Sequence, residues 1–263
     1  SVLVMELKGK LTTDVPSFKD QLLANLTGSE PFVYMTHVTD ALERAAADKK
    51  IKGLYIDISL LDGTLADYTT LRRFLEIYTA TNKPLEIYSI GYDHKKYFFA
   101  PASKSINLAP LGGMELLGPL SQMIYFSDAL KKLGVNIEVF RAGKYKSAFE
   151  PFVANKPSEA TLEEYASINS SVANFIYESI AQSRETKPAV VRSWYKRSLS
   201  TADEAQKQRL VNRVAYGADL LQDLKEKTKM KEHIEYRDYL PISDHVLKKN
   251  VAGGSSGIAY IEA

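Results

Sequence analysis

Apolar residues along this chain recur at two spacings, and the spacing changes from segment to segment. Val2-Leu3-Val4-Met5-Glu6-Leu7 is a continuous apolar run closed by a glutamate, the signature of a short buried strand. From Thr36 to Lys49 the apolar or small residues Val38, Ala41, Leu42 and Ala45 fall three and four apart among charges, which predicts a helix. Gly53 to Ile58 reads as a strand. Leu65 to Thr81 reads as a helix with Leu65, Tyr68, Leu71, Leu75 and Tyr78 on one face, punctuated by Pro84. Leu85 to Ile90 is a further strand, Tyr92 to Ala100 a short helix, and Ser105 to Leu108 a strand. Strands alternating with helices predict an α/β fold with a largely parallel sheet.

Leu111 to Gly118, with three glycines, reads as a turn, and Val135 to Phe140 as a strand. From Pro157 the pattern changes. Pro157-Ser158-Glu159 opens a long helix reaching about Glu185, and Pro188 stands where a first-turn proline belongs. The last third is helical and charged and closes on a strand, Glu232 to Tyr239. Ala252-Gly253-Gly254-Ser255-Ser256 has the composition of a flexible linker. After it, Gly257 to Ala263 is an apolar run with a glutamate, like Val2 to Leu7. The division expected is a domain over 1–251, a linker over 252–257 and, over 258–263, the first strand of a second copy.

Composition narrows the function classes. The 34 basic and 32 acidic residues leave a net charge of +2, which gives no support for nucleic acid as a partner. The absence of cysteine excludes disulfides, thiolate metal sites and a cysteine nucleophile. No apolar run approaches the ~20 residues that cross a bilayer, and Ser1 leads directly into a strand, so the chain reads as a trimmed or processed piece. The four histidines show no metal-ligand spacing, there is no HExxH, and the glycine-punctuated turn lacks the ending of a phosphate loop. No cofactor is expected.

The candidate chemistry lies in Gly143-Lys144-Tyr145-Lys146-Ser147-Ala148-Phe149-Glu150-Pro151-Phe152. Lysine among aromatic and small residues suits an amine that must be neutral to accept a proton, because low polarity disfavours the ammonium form. That is the base of a serine–lysine dyad, yet no convincing nucleophilic serine accompanies it. Lys144 is read as an exposed charge. Tyr145 and Phe149 are read as shaping a lysine pocket or a subunit contact. Glu150 is read as pairing with a cation or capping a helix, and Ser147 as capping a helix start. His94 beside Asp93 invites a triad reading, but adjacency is its only warrant; a surface histidine is the plainer reading.

Arg141 to Phe152 resembles the lysine motif of the long-form signal peptide peptidase A (protease IV) family. The likeness extends to Tyr97-Phe98-Phe99-Ala100, Asp128 to Val135, Leu210-Val211-Asn212 and Ile234 to Tyr239. The resemblance implies a crotonase/Clp-protease-like domain of repeated ββα units, with additional helices in the C-terminal third. It implies that Lys146 is the general base of a Ser/Lys dyad whose serine lies in a C-terminal half of the same or a neighbouring chain. A homotetramer, cleaved signal peptides as substrates, and an upstream anchor in the bacterial cytoplasmic membrane, facing the periplasm, also follow from it. Plant relatives imply a plastid membrane instead.

Two departures assign the chain to the lysine-bearing half. Where a serine-bearing copy has a small-residue turn, this chain has Tyr92-Asp93-His94-Lys95-Lys96-Tyr97, with His94 near the serine position. Where that copy has a glycine-rich oxyanion loop, this chain has Ser59-Leu60-Leu61-Asp62-Gly63-Thr64, with an aspartate that is ill placed to stabilise negative charge. This chain alone is therefore expected to be inactive. The alternatives are a non-catalytic crotonase-like module for assembly or substrate capture, and an acyl-CoA enzyme of the same superfold.

Overall fold

A computed structural model describes residues 1–13, 32–140, 143 and 145–240, together with Lys19, Leu26 and Thr27. The linker over 252–257, the second-copy strand over 258–263 and Lys144 lie outside the described residues. The chain forms two compact units: unit 1 takes residues 1–115 and those from 199 onward, and unit 2 takes residues 116–198.

In unit 1 the first strand, β1 (Val2–Glu6), pairs in parallel with β4 (Gly53–Asp57), Val2 opposite Gly53 and Glu6 opposite Asp57. β6 (Leu85–Asp93) continues the sheet beside β4, and β7 (Ile106–Glu115) lies beside β6, both parallel. The edges are completed late in the chain. β8 (Leu199–Thr201) runs antiparallel to the end of β7, β9 (Arg213–Val214) pairs with the start of β7, and β10 (His233–Glu235) lies beside β1. A smaller parallel sheet has β2 (Gly9–Thr12) between β3 (Phe32–Tyr34) and β5 (Leu61–Asp62).

Alternation along the strands sends Val2, Val4, Tyr55 and Tyr88 to one face of the large sheet, where they meet Leu220 and Leu224 of α9 (Gly217–Thr228). Leu3, Met5, Leu54, Ile56 and Ile87, on the opposite face, are likewise buried. The predicted helices appear as α1 (Met35–Ala47), which buries Val38, Ala41, Leu42 and Ala45, and α2 (Leu65–Thr79), which buries Tyr68, Leu71, Leu75 and Tyr78. Thr64 and Asp67 close a reciprocal capping box at the start of α2. α3 (His94–Phe99) follows β6 directly, and α8 (Ala202–Lys207) follows β8.

Unit 2 contains α4 (Ser127–Lys132), α5 (Glu150–Val153), α6 (Glu159–Ser183) and α7 (Pro188–Arg197). Ser158 caps α6 by accepting from the Thr161 N–H, and Pro188 opens α7, as expected. α4 ends on Gly134 at φ +71°: Val135 N–H donates to Leu130 O and Gly134 N–H to Lys131 O, a Schellman closure.

Three expectations are corrected. Residues 135–140 form no strand. Their alternating apolar residues pair with no strand among the described residues, and Phe140 is 92% exposed. Leu111 to Glu115 belongs to β7 rather than to a turn, because Gly112 and Gly113 permit the close approach of β6. A Cβ on Gly112 would collide with the Ile90 carbonyl oxygen and stand 3.0 Å from that of Ala109. The closing strand stops at Glu235, and residues 236–240 are helical. Tyr236 and Tyr239, three apart and both buried, fit that period.

Candidate functional site

The end of unit 1's sheet opens a cleft of about 710 Å³. Ser59, Gly91, Tyr92, Asp93, Lys96, Gly112, Gly113 and Glu115 are among its lining residues, with Ser200 and Thr201 of β8. Along it β6 turns into α3. Asp93 ends the strand and accepts from the Lys96 N–H at 2.7 Å, so the acid is committed to capping the helix. His94, in the first turn, is half-buried; burial pulls its imidazole below the usual histidine range, against the opposing charge of Asp93.

The two lysines that follow reach back to the loop before α2. Lys95 Nζ pairs with Asp62 at 3.1 Å and donates to Gly63 O at 2.8 Å. Lys96 Nζ donates to Ser59 O at 2.8 Å, and burial lowers its pKa. The loop from Ser59 to Gly63 therefore turns two carbonyl oxygens toward ammonium groups. An oxyanion hole needs the opposite polarity, with N–H groups aimed at developing negative charge. The cleft's serines are otherwise engaged in part: the Ser59 hydroxyl oxygen accepts from the Ile90 N–H at 3.0 Å.

Lys146 lies in unit 2, on an irregular segment between residue 143 and α5, and it is exposed. The apolar surround expected from its neighbours is not formed by this segment: Tyr145 and Phe149 are each about half exposed. Tyr145 Oη reaches Glu163 Oε2 at 3.3 Å, and Ser147 Oγ lies 3.5 Å from Glu164 Oε2. Ser147 does not cap α5 with its side chain. The N-cap is Phe149, and it is the Ser147 carbonyl that accepts from the Glu150 N–H. Glu150 does cap a helix, but the next one. Its buried carboxylate accepts from Ser158 N, Ser158 Oγ and Thr161 Oγ1 at the start of α6. Among the described residues no cluster of His, Asp and Glu is placed to hold a metal ion.

The profile of peptidase family S49 matches residues 78–231, more than half of the chain and all of the lysine segment. The chain belongs to peptidase family S49. Its mixed α/β architecture, built on a parallel sheet, is the ClpP/crotonase-like fold of that family. Among S49 relatives it is similar to protease 4 of Haemophilus influenzae, 33% identical over 122 residues that make up 46% of this chain and 20% of the relative. It is 28% identical to protease 4 of Salmonella typhi over 195 residues, 70% of this chain and 31% of the relative. Over its whole length it is 23% identical to the chloroplastic serine protease SPPA of Arabidopsis thaliana, covering 38% of that protein. The chain thus spans between a fifth and two fifths of the length of these relatives. These S49 relatives are bacterial and chloroplast proteins, and no helix among the described residues is long and apolar enough to cross a membrane.

The roles of Lys95 and Lys96 were not read from the sequence, and for Glu150 the helix that it caps was not. Lysines directly after a strand, facing an Asp-Gly loop, and a glutamate before Pro151 with Ser158-x-x-Thr161 downstream, are the signals that could have found them.

Proposed function

We propose that this chain is the N-terminal, lysine-bearing half of a signal peptide peptidase A-type serine protease, with Lys146 as general base. The observation that carries the reading is the polarity of the unit 1 cleft. Its strand-to-helix turn bears His94 in place of a nucleophile, and its loop offers Ser59 and Gly63 carbonyls to Lys96 and Lys95. A half built this way supplies a base but neither a nucleophile nor an oxyanion hole, so those come from the C-terminal half of the same or a neighbouring chain in a homotetramer. The neutral Lys146 amine takes the proton of that serine as its oxygen attacks the scissile carbonyl. The proton passes to the departing amine, and water then releases the acyl group by the same route. Apposition of the second half would also supply the low polarity that the exposed lysine lacks here.

Cleaved signal peptides are the proposed substrates. A membrane anchor upstream, placing the enzyme on the periplasmic side of a bacterial cytoplasmic membrane or in a plastid membrane, completes the proposal. In the full-length protein, Lys146→Ala should lower kcat/KM by roughly 10³-fold or more with the oligomer intact. Near-native hydrolysis of a signal-peptide-like substrate by that variant would move the base elsewhere. The chain of 263 residues should by itself cleave no unfolded peptide.

A second reading, a non-catalytic assembly or substrate-capture module, draws on the exposed apolar side chains of unit 2, Leu120, Leu133 and Phe140 among them. It predicts that the Lys146→Ala enzyme retains full turnover.

A further inference from the structure

Glu150 is a carboxylate only 6% exposed, and the proposed chemistry gives it no part. Removing an ionised carboxylate from water is unfavourable by several kcal/mol unless hydrogen bonds replace the lost hydration. Glu150 has them. Oε1 accepts from Ser158 Oγ at 2.6 Å, while Oε2 accepts from Ser158 N–H at 3.0 Å and Thr161 Oγ1 at 2.9 Å. Ser158 is at the same time the N-cap of α6, its hydroxyl accepting from the Thr161 N–H at 3.2 Å. The carboxylate therefore sits at the positive end of a 25-residue helix, where a negative charge is stabilised.

The other end of Glu150 holds the lysine segment. Its N–H donates to Ser147 O at 2.9 Å, closing a turn one residue beyond Lys146. Pro151 stiffens the chain immediately after. Its carbonyl accepts from the Phe126 N–H at 2.6 Å, and Phe126 stacks on Phe152 with centroids 6.1 Å apart. The residues flanking Lys146 also touch α6, but at 3.3 Å and 3.5 Å from exposed or half-exposed glutamates, contacts too long to fix a backbone. The contacts of Glu150 are shorter and buried. Lys146 is exposed, and the backbone turn that Glu150 fastens sets where its side chain leaves the surface.

We propose that Glu150 is a positioning residue for Lys146, fastening the lysine-bearing turn to the N-terminus of α6. The inference rests on the reading of Lys146 as general base. Glu150 touches no reacting atom; it acts by keeping the amine at one place. An error of about 1 Å in such a group lowers turnover by roughly 10²-fold.

The test uses the full-length protease. Glu150→Gln keeps the side chain's volume but replaces one acceptor oxygen with a donor facing Ser158 or Thr161. It should lower kcat by roughly 10- to 100-fold, with KM changed less than about threefold. The rate of serine phosphonylation by a fluorophosphonate probe, in which the serine oxygen displaces fluoride from phosphorus, should fall in parallel per folded enzyme. Ser158→Ala, which leaves Glu150 in place with fewer partners, should give a smaller loss in the same direction, and it carries the test should Glu150→Gln not fold. A purely structural glutamate would lower Tm and yield while leaving kcat and phosphonylation rate per folded enzyme at native values in the soluble variants; that result overturns the proposal. Lys146→Ala measured alongside separates the two readings. If it is silent while Glu150→Gln is native, only the positioning role falls. If it is active, both fall.

Discussion

His94 illustrates how a single side chain is set by its neighbours. Partial burial holds its folded-state pKa below the ordinary 6.5, with Asp93 opposing the effect and Lys95 adding to it. A base whose folded pKa is depressed binds fewer protons in the native than in the unfolded state. Its contribution is therefore intact above pH 6.5 and is lost as pH falls through the folded value. The native chain should lose thermal stability between pH 7 and pH 5 more steeply than His94→Gln, and superimposable Tm profiles would refute this. Gly112 is constrained by space. A methyl there meets the Ile90 carbonyl, with Leu108 Cδ1 at 2.8 Å, so Gly112→Ala should destabilise unit 1 by about 2–4 kcal/mol in urea unfolding. The neighbours of Lys146 single it out as a candidate in the sequence, but its exposure was not legible from them. Sequence adjacency does not say which side chains fold over a residue.

Among the elements, those read most clearly are those whose apolar faces have a partner. α1 and α2 follow their three- and four-residue spacing because those faces are buried, and Ser158 and Pro188 mark the starts of α6 and α7. Val135 to Phe140 has the alternation of a strand but no paired strand among the described residues, and Leu111 to Glu115 has the glycines of a turn but the partners of a strand. In both cases the deciding information is a distant segment of chain. Arg72 joins two elements directly. Its buried guanidinium donates to Phe98 O, pairs with Glu76 at 3.1 Å and stacks on the Phe98 ring, tying α2 to α3. Arg72→Ala should lower stability by about 2 kcal/mol or more, since it leaves a buried carbonyl and a cavity. An unchanged urea midpoint would show that the link contributes nothing.

On the scale of the whole molecule, unit 2 is an insertion between two paired strands. Glu115 at the end of β7 lies opposite Leu199 at the start of β8, and Leu116 N–H donates to Ser198 O at 2.7 Å. Residues 116–198 can therefore be replaced by an Asn-Gly turn closing β7 onto β8 as a hairpin. The shortened chain should unfold in one cooperative transition with the sheet's circular dichroism intact; a chain lacking a transition would mean that unit 1 depends on the insertion.

The neighbours of β1 have a consequence in time. Its partner β4 begins at residue 53, but β10, which covers its other edge, begins at residue 233. At about 5–20 residues per second, synthesis leaves roughly 10–50 s between the emergence of Val2 and that of His233. Throughout that interval the outer edge of an apolar strand stands bare on the ribosome, open to any other extended chain. Unit 2, contiguous in sequence, is complete while unit 1 still waits. The last strand of the sheet thus acts as a closing clasp, and the nascent chain is most exposed to mispairing just before its synthesis reaches that point.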